Sequence, residues 1–378
     1  MRMQRVTFKD FIQLQRGFDL PKSFMQEGEV PVLGSNCIIG YHNEAKVAPP
    51  GVVTGRSGTL GLVQYTDSPY WPHNTALWVK NFKGNHPKFV FYKLQTLNLE
   101  TFNGGVSVPT LNRNVLDDLE VSIPDHEAQK RIADILSTYD DLIENNRRRM
   151  ALLEDVARQL YREWFVRLRF PGHEHTRIIN GLPERWTRKR VSDVAECVGG
   201  GTPSTADPAC WEDGDVTWVT PTDVTRNKHF VLLDSEKKIT EAGLQNSSAK
   251  LVPAHTVLMT SRASVGYFAL AGREVCTNQG FISIVPSEPS HSPYLLFHLS
   301  ERVEEIRAMG SGSTYPEVSR GKFREFEIVL PKHALAVDFG ERASLLLNQI
   351  RVLKQQCDRL RVARDLLLPR LMSGEIPV

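Results

Sequence analysis

The chain has 378 residues, 41% hydrophobic and 24% charged, enough for two bodies with separate cores. No apolar run approaches the ~20 residues of a membrane span, and the start MRMQRVTFKD lacks a signal-peptide core, so a cytoplasmic protein is expected. A formal charge of +2 without a strongly basic segment rules out inferring nucleic-acid binding from bulk charge, and five scattered cysteines without a C-x-x-C pair exclude a disulfide framework and a cysteine zinc site.

Taken in chain order, VVTGRSGTLGLVQY (Val52–Tyr65) has two strand-like apolar flanks around a loop of glycines and hydroxyls bearing Arg56. TALWVK reads as a further strand and KFVFYKLQTL as a helix. The glycine-rich loop NGGVSVPTLNR then leads into EVSIP. After Pro124, apolar residues three and four apart run for about forty residues. Ile132, Tyr139, Leu153 and Leu160 hold one seven-residue register; Leu136, Ile143, Met150, Ala157 and Trp164 hold its neighbour. Heptads sustained this long predict a coiled coil rather than a globular surface helix. Asn146 is a polar position in the seam, the run NNRRRM reads as a solvated face, and the aromatic end LYREWF reads as helix packing.

The segment 169–185 is polar, carries Pro and Gly, and reads as a linker. Beyond it the outline repeats. VLMTSRASVGYFAL and GFISIV read as strands, and PYLLFHLSERVEEIRAM as a helix. From Pro331, Phe339, Leu346, Leu353, Leu360 and Leu367 form a second heptad run beside Ala343, Ile350, Cys357 and Leu371, with Arg364 as the polar position of the latter register and Pro369 expected to end the helix near Leu368. The organisation expected is a first recognition domain (1–124), a central helix (125–168), the linker, a second recognition domain (186–331) and a C-terminal helix (332–378). Helices of this length are ~55–60 Å long at 1.5 Å per residue.

The two halves are a duplication. NGGVSVPTLNRNVLDDLEVSIP aligns with GSGSTYPEVSRGKFREFEIVLP without a gap, matching Gly105 with Gly312, Pro109 with Pro316, Arg113 with Arg320 and Pro124 with Pro331. The arginine loops align as Thr54 with Thr260, Arg56 with Arg262 and, after one gap, Gly61 with Gly266. Near the starts, Asp10 pairs with Asp193 and Gly17 with Gly200. The spacing requires an insertion in the second half, expected around Thr220–Lys238. Since both heptad runs follow the same repeat, the two helices are expected to pair with each other.

Side chains suited to DNA cluster in the repeated loops. Arginine offers a fork to guanine or phosphate, so Arg56 and Arg262 are the leading candidates, flanked by the hydroxyls of Thr54, Ser57, Thr260 and Ser261. The glycine-rich loops add Ser107, Thr110, Arg113, Ser313, Thr314, Tyr315 and Arg320, and GGGTPS adds Thr202. Asn74, Asn278 and Gln279 carry amides able to read adenine. The competing reading of each loop is a plain turn. Enzyme signatures are missing: there is no G-x-x-x-x-G-K-[ST], and VAPPGV and DPAC lack the residues of an adenine-methyltransferase motif. Asp223 with Glu236 and Lys238 has nuclease-like spacing, a pattern common by chance. The histidines of GHEH sit in the polar linker, and no metal site is expected.

In SIPDHEAQKRIADILSTYDDLIENNRRRMALLEDVARQLYREWF, GLPERWTRKRVSDVAECVGGGTPS and LLLPRLMSGEI the chain resembles the specificity subunits of type I restriction–modification systems, and the resemblance extends over nearly its whole length. The resemblance implies an α/β (α+β) fold: two similar mixed recognition domains in pseudo-two-fold tandem repeat, separated by two long antiparallel coiled-coil helices. It implies a non-catalytic subunit that reads a bipartite target in double-stranded DNA, one domain per half-site. Implied partners are two adenine-N6 methyltransferase subunits and restriction/translocase subunits, which would carry S-adenosylmethionine, ATP and Mg. No cofactor is implied on this chain, and no membrane. Two alternatives stay open: service in a methyltransferase-only or fused restriction enzyme, and a coiled-coil adaptor that does not touch DNA.

Overall fold

The computed structural model describes residues 2–105, 107–310 and 316–378. It divides into two compact units, Met1–Glu144 with Cys357–Val378, and Asn145–Gln356. The division falls inside both long helices, so each unit combines one mixed α/β body with a piece of each helix.

In the first unit the chain enters as β1 (Met3–Thr7) and turns through α1 (Phe8–Phe11), which buries both of its phenylalanines. β1 pairs antiparallel with β9 (Glu120–Pro124), from Met3↔Pro124 to Thr7↔Glu120, so the first and last strands of the body close on each other. Between them lie β2 (Gln13–Arg16), β3 (Val30–Leu33), β4 (Ile38–His42), β5 (Gly51–Gly55), β6 (Val63–Thr66), β7 (Trp71–Pro72) and β8 (Ala76–Asn81). They form a sheet of order β2-β8-β5-β6 and a smaller one of order β4-β3-β7. All of β5 is buried, as expected of the short apolar run in Gly-Val-Val-Thr-Gly held between two neighbours. α2 (Pro87–Gln95) starts on a proline and buries Phe89, Val90, Tyr92 and Leu94 in a core with Phe11, Val52 and Leu77.

The second unit repeats this plan with β12 (Thr187–Arg190), β13 (Ala195–Gly199), β14 (Val216–Val219), β15 (Val231–Leu232), β16 (Lys237–Ile239), β17 (Val257–Thr260), β18 (Phe268–Ala271), β19 (Cys276–Thr277), β20 (Phe281–Pro286) and β21 (Glu327–Leu330). Strand β12 pairs with β21, and the sheets run β13-β20-β17-β18-β15 and β16-β14-β19. Strand for strand this is the order of the first body, with β15 added at one edge. The extra residues lie in two places rather than the single one expected. One set, with α4 (Pro221–Arg226) and β15, separates β14 from β16; the other, with α5 (Glu241–Gln245), separates β16 from β17. The first body has only the short spans from Leu33 to Ile38 and from His42 to Gly51 there. The helix expected over PYLLFHLSERVEEIRAM is two, α6 (Ser292–Glu301) and α7 (Val303–Ala308), broken at Arg302. α8 (Arg320–Arg324) precedes β21.

The long helices are α3 (His126–Tyr161) and α9 (His333–Ser373). In the first unit their segments run antiparallel: Arg131 donates to the Val378 carbonyl at 3.2 Å, Arg364 to Asp140 at 2.5 Å, and Cys357 Sγ faces the Ile143 carbonyl at 3.7 Å. In the second unit Asn146 Nδ2 meets Gln356 Oε1 at 3.4 Å, so the polar seam residue has a polar partner. Ile132, Leu136, Ile143, Met150 and Ala157 on α3 are buried, as are Phe339, Ala343, Ile350, Leu353 and Cys357 on α9. Pro369 does not end α9; the helix continues to Ser373. The missing amide leaves only the carbonyl of exposed Asp365 without its helix bond, where water reaches it. Leu371 and Met372, each 1% exposed, hold the last turn in the core.

Past α3, a π-helical turn (Arg162–Val166) carries Trp164 and Phe165 onto Phe339, and Tyr161 stacks on Phe297, so the aromatic end packs as expected. The linker holds a small hairpin, β10 (Ile178–Ile179) with β11 (Leu182–Pro183). All five cysteines are free thiols.

Candidate nucleic-acid interface

The repeated arginine loops are hairpins, β5–β6 in the first body and β17–β18 in the second, each paired antiparallel. Gly61 and Gly266 hold the same left-handed conformation, φ +83° in both, which only glycine adopts without strain. Gly17 and Gly200 also correspond. A Cβ at Gly17 would lie 2.1 Å from the His73 carbonyl oxygen, and one at Gly200 would lie 2.1 Å from that of Asn278. The turn after β7 or β19 thus presses on the loop after β2 or β13 in both bodies. Asp10 and Asp193 also correspond, each reaching back three residues, Asp10 accepting from Thr7 Oγ1 at 2.5 Å and Asp193 from the Arg190 amide at 2.9 Å.

The hairpin tip is stitched to the loop that precedes the closing strand. Arg56 N donates to the Thr75 carbonyl at 2.9 Å, Leu111 N to the Arg56 carbonyl at 2.8 Å, and Gly58 N to the Pro109 carbonyl at 2.9 Å. In the second body Ser261 N donates to Gly280, Val318 N to Ser261 and Ala263 N to Pro316, at 2.8, 2.9 and 3.2 Å. The bridges Ser57↔Thr110 and Arg262↔Glu317 complete the match. Pro109 and Pro316 correspond as the sequence alignment has them, but the two arginines do not. The backbone equates Arg56 with Ser261 and Ser57 with Arg262, a slip of one residue. Sequence alignment places the gap after the arginines, whereas the strands already differ there. A one-residue slip in extended chain turns a side chain to the opposite face.

The side chains follow that difference. Half-buried Arg56 donates from Nη1 to the Asn74 carbonyl at 3.4 Å. Arg262 is half exposed and forks onto Glu317, Nε to Oε2 at 3.1 Å and Nη2 to Oε1 at 3.0 Å. Thr54 and Thr260 are fully buried, their hydroxyls spent on the Leu62 and Ser264 carbonyls, and Ser261 is 4% exposed. These three build the hairpins and present nothing at the surface. Asn74 donates to Asp19, which also accepts from Arg16 at 3.3 Å. Its backbone counterpart, exposed Gln279, accepts from Thr202 Oγ1. Asn278 closes a turn on the Gly280 amide at 2.9 Å, a structural use. Exposed Ser107 lies two residues ahead of Pro109, and Thr110 Oγ1 bonds the Val108 carbonyl at 3.0 Å. Arg113 reaches the Leu14 carbonyl on β2 at 3.2 Å, and the Arg320 guanidinium lies over Gly199 on β13. Ser313, Thr314 and Tyr315 lie outside the described residues.

Each body therefore gathers one polar edge. In the first it holds Arg56, Ser57, Asn74 and Thr110 with Asp19 and Arg16; in the second, Arg262, Glu317, Gln279 and Thr202. Sequence reasoning did not single out Asp19, Arg16 or Glu317. The gapless alignment of Thr110 with Glu317 was the available signal. The nuclease-like spacing does not make a site: Asp223 accepts from the amides of Thr220 and Glu236 at 2.8 Å, Glu236 pairs with Arg226, and Lys238 with Asp234. Burial pushes the Cys197 thiol up to about 11 and that of Cys276 to about 12, so neither is a thiolate nucleophile at neutral pH. No helix among the described residues is long and apolar enough to cross a membrane.

Comparison with known proteins agrees with this duplication. The family model of the type I restriction modification DNA specificity domain matches residues 2–155 and again 183–335. The specificity subunit of the type I restriction enzyme MjaIX of Methanocaldococcus jannaschii is 37% identical over 155 residues, 40% of this chain and 36% of that protein. That of HindI from Haemophilus influenzae is 24% identical over 330 residues, 71% of each chain. The crystal structure of a type I restriction–modification S subunit from M. genitalium superposes with a TM-score of 0.65 at 18% identity, covering 98% of this chain and 96% of that one; at that identity the likeness speaks for the fold.

Proposed function

Because the chain belongs to the family of type I restriction–modification DNA specificity domains, matched twice along its length, we propose that it reads a two-part DNA target, one half-site for each body. The supporting observation is the repeated edge. The same backbone bonds hold the hairpin tip in both bodies, while equivalent positions carry different side chains: Ser57, Thr110 and Asn74 in one, Arg262, Glu317 and Gln279 in the other. A common frame with unlike readers is what two different half-sites require. Arginine forks onto guanine, a glutamine or asparagine amide onto adenine, and a carboxylate accepts from the cytosine amino group. Phosphate contacts fix position without specifying sequence.

In this reading the chain is a recognition component, not a catalyst, and acts in the cytoplasm within a complex. Two methyltransferase subunits would bring S-adenosylmethionine; restriction subunits would bring ATP and Mg. A chain of net charge +2 fits partners that supply much of the attraction to the duplex. The test is band-shift titration with a target duplex, with and without methyltransferase subunits. The expected result is weak binding by the chain alone and tight, sequence-selective binding by the complex. Assembly with undiminished methyl transfer but no dependence on duplex sequence would favour the adaptor alternative instead.

A further inference from the structure

Among the described residues one cluster joins three potential metal ligands: Glu288, His291 and His333. Glu288 precedes and His291 ends the short turn Pro289–His291 that leads into α6, and His333 is the first residue of α9. The turn and the helix pack without room between them, since a Cβ at Gly340 of α9 would lie 2.1 Å from the Ser290 carbonyl oxygen. That approach brings the side chains together. Glu288 Oε2 lies 3.3 Å from His333 Nδ1 and 3.7 Å from His291 Nε2, and the three ligand atoms all fall within 4.8 Å of one another. The decisive atom is His291 Nε2. His291 is 7% exposed, and this nitrogen is buried with no hydrogen-bond partner, directed at the carboxylate. An unpaired buried nitrogen costs free energy unless something occupies its lone pair or proton.

We propose that Glu288, His291 and His333 bind a divalent zinc-like ion that ties the turn ahead of α6 to the first turn of α9. Two imidazoles and one carboxylate suit zinc or a neighbouring late transition metal, whereas calcium and magnesium take all-oxygen sites. Tetrahedral zinc with bonds of about 2.0–2.1 Å holds its ligand atoms roughly 3.3 Å apart. The Glu288–His333 pair is at that spacing already, and both are surface side chains able to close by rotation. A fourth position stays open to water. The ion would fix the direction in which α9 leaves its body. Spacing alone does not bring these residues together, because His333 follows His291 only after the whole of α6, α7, α8 and β21.

The full chain, stripped with a chelator and dialysed, is titrated with zinc chloride at neutral pH by calorimetry, with thermal melts in parallel. One ion per chain is expected, together with a rise in melting temperature. His333→Ala and Glu288→Gln, at exposed positions that spare the core, should each weaken binding at least tenfold and abolish the rise. His175→Ala in the linker should change neither. Absence of stoichiometric binding, or binding of wild-type strength in either ligand variant, overturns the proposal.

Discussion

His298 on α6 is 5% exposed and enclosed by Tyr161, Tyr294 and Arg302. Arg302 Nη1 lies 3.3 Å from His298 Nε2, and a guanidinium can only donate, so Nε2 must accept and the ring proton sits on Nδ1. Nδ1 faces the Tyr161 hydroxyl at 2.9 Å. Protonating Nε2 would turn a donor against the guanidinium in a buried place. Burial first, and Arg302 second, lower the His298 pKa to about 3. The unfolded chain takes up this proton near 6.5, while the folded chain resists until about 3, so stability falls as pH drops through that window. Between pH 7 and pH 5 about 1.5 units act at ~1.4 kcal/mol each, a loss of about 2 kcal/mol from this one group. For a unit of this size that is about 4–8 °C in melting temperature. Melts of wild type and His298→Gln across pH 5–7.5 test it. The variant should start lower and then lose markedly less stability towards pH 5. Parallel profiles would refute the assignment, since His73, His86 and His291 are lowered by burial too and remain in both proteins.

Gly200→Ala sets a methyl group 2.1–2.2 Å from the Asn278 and Thr277 carbonyl oxygens, so it should cost at least about 2–3 kcal/mol, as should Gly17→Ala in the first body; urea unfolding followed by tryptophan fluorescence measures both. Asp140 receives Arg364 and the Tyr92 hydroxyl, both at 2.5 Å, and Asp140→Ala leaves the Tyr92 hydroxyl without that acceptor and Arg364 with Asp365 alone. The expected loss is about 2 kcal/mol, below that of a fully buried pair because both charges keep some solvent, and chemical denaturation at two salt concentrations reads it. Arg262→Ala and Glu317→Ala should alter base preference at one half-site by about 1–3 kcal/mol and leave the other unchanged, as scored by methyl transfer on duplexes varied in each half. Ser57→Ala and Thr110→Ala should do the reverse.

The architecture was largely legible because it rests on repetition and periodicity. The heptads of α3 and α9, the paired hairpins and the matched glycines each rest on local rules that a single sequence displays. What escaped was register and partnership. Arg56 and Arg262 look equivalent because each precedes a serine or follows one; only the backbone bonds to Pro109 and Pro316 show that Ser57 shares a place with Arg262. Thr54 and Thr260 looked like surface hydroxyls, yet a strand buried at every position keeps them inside. Pro369 looked like a stop, but two core residues beyond it hold the helix. The Asn180-Gly181 pair in the linker is a hairpin signal that the reading of that segment as polar connection passed over; both residues have positive φ, 51° and 77°.

The most direct test of a two-part reader is genome-wide mapping of N6-methyladenine in cells carrying the wild-type gene, no gene, or the Arg262→Ala variant. A two-part reader gives a motif of two short specific blocks with unspecified bases between them, absent without the gene, and relaxed by the variant in one block only. A continuous motif, a motif that persists without the gene, or simultaneous change in both blocks would contradict it.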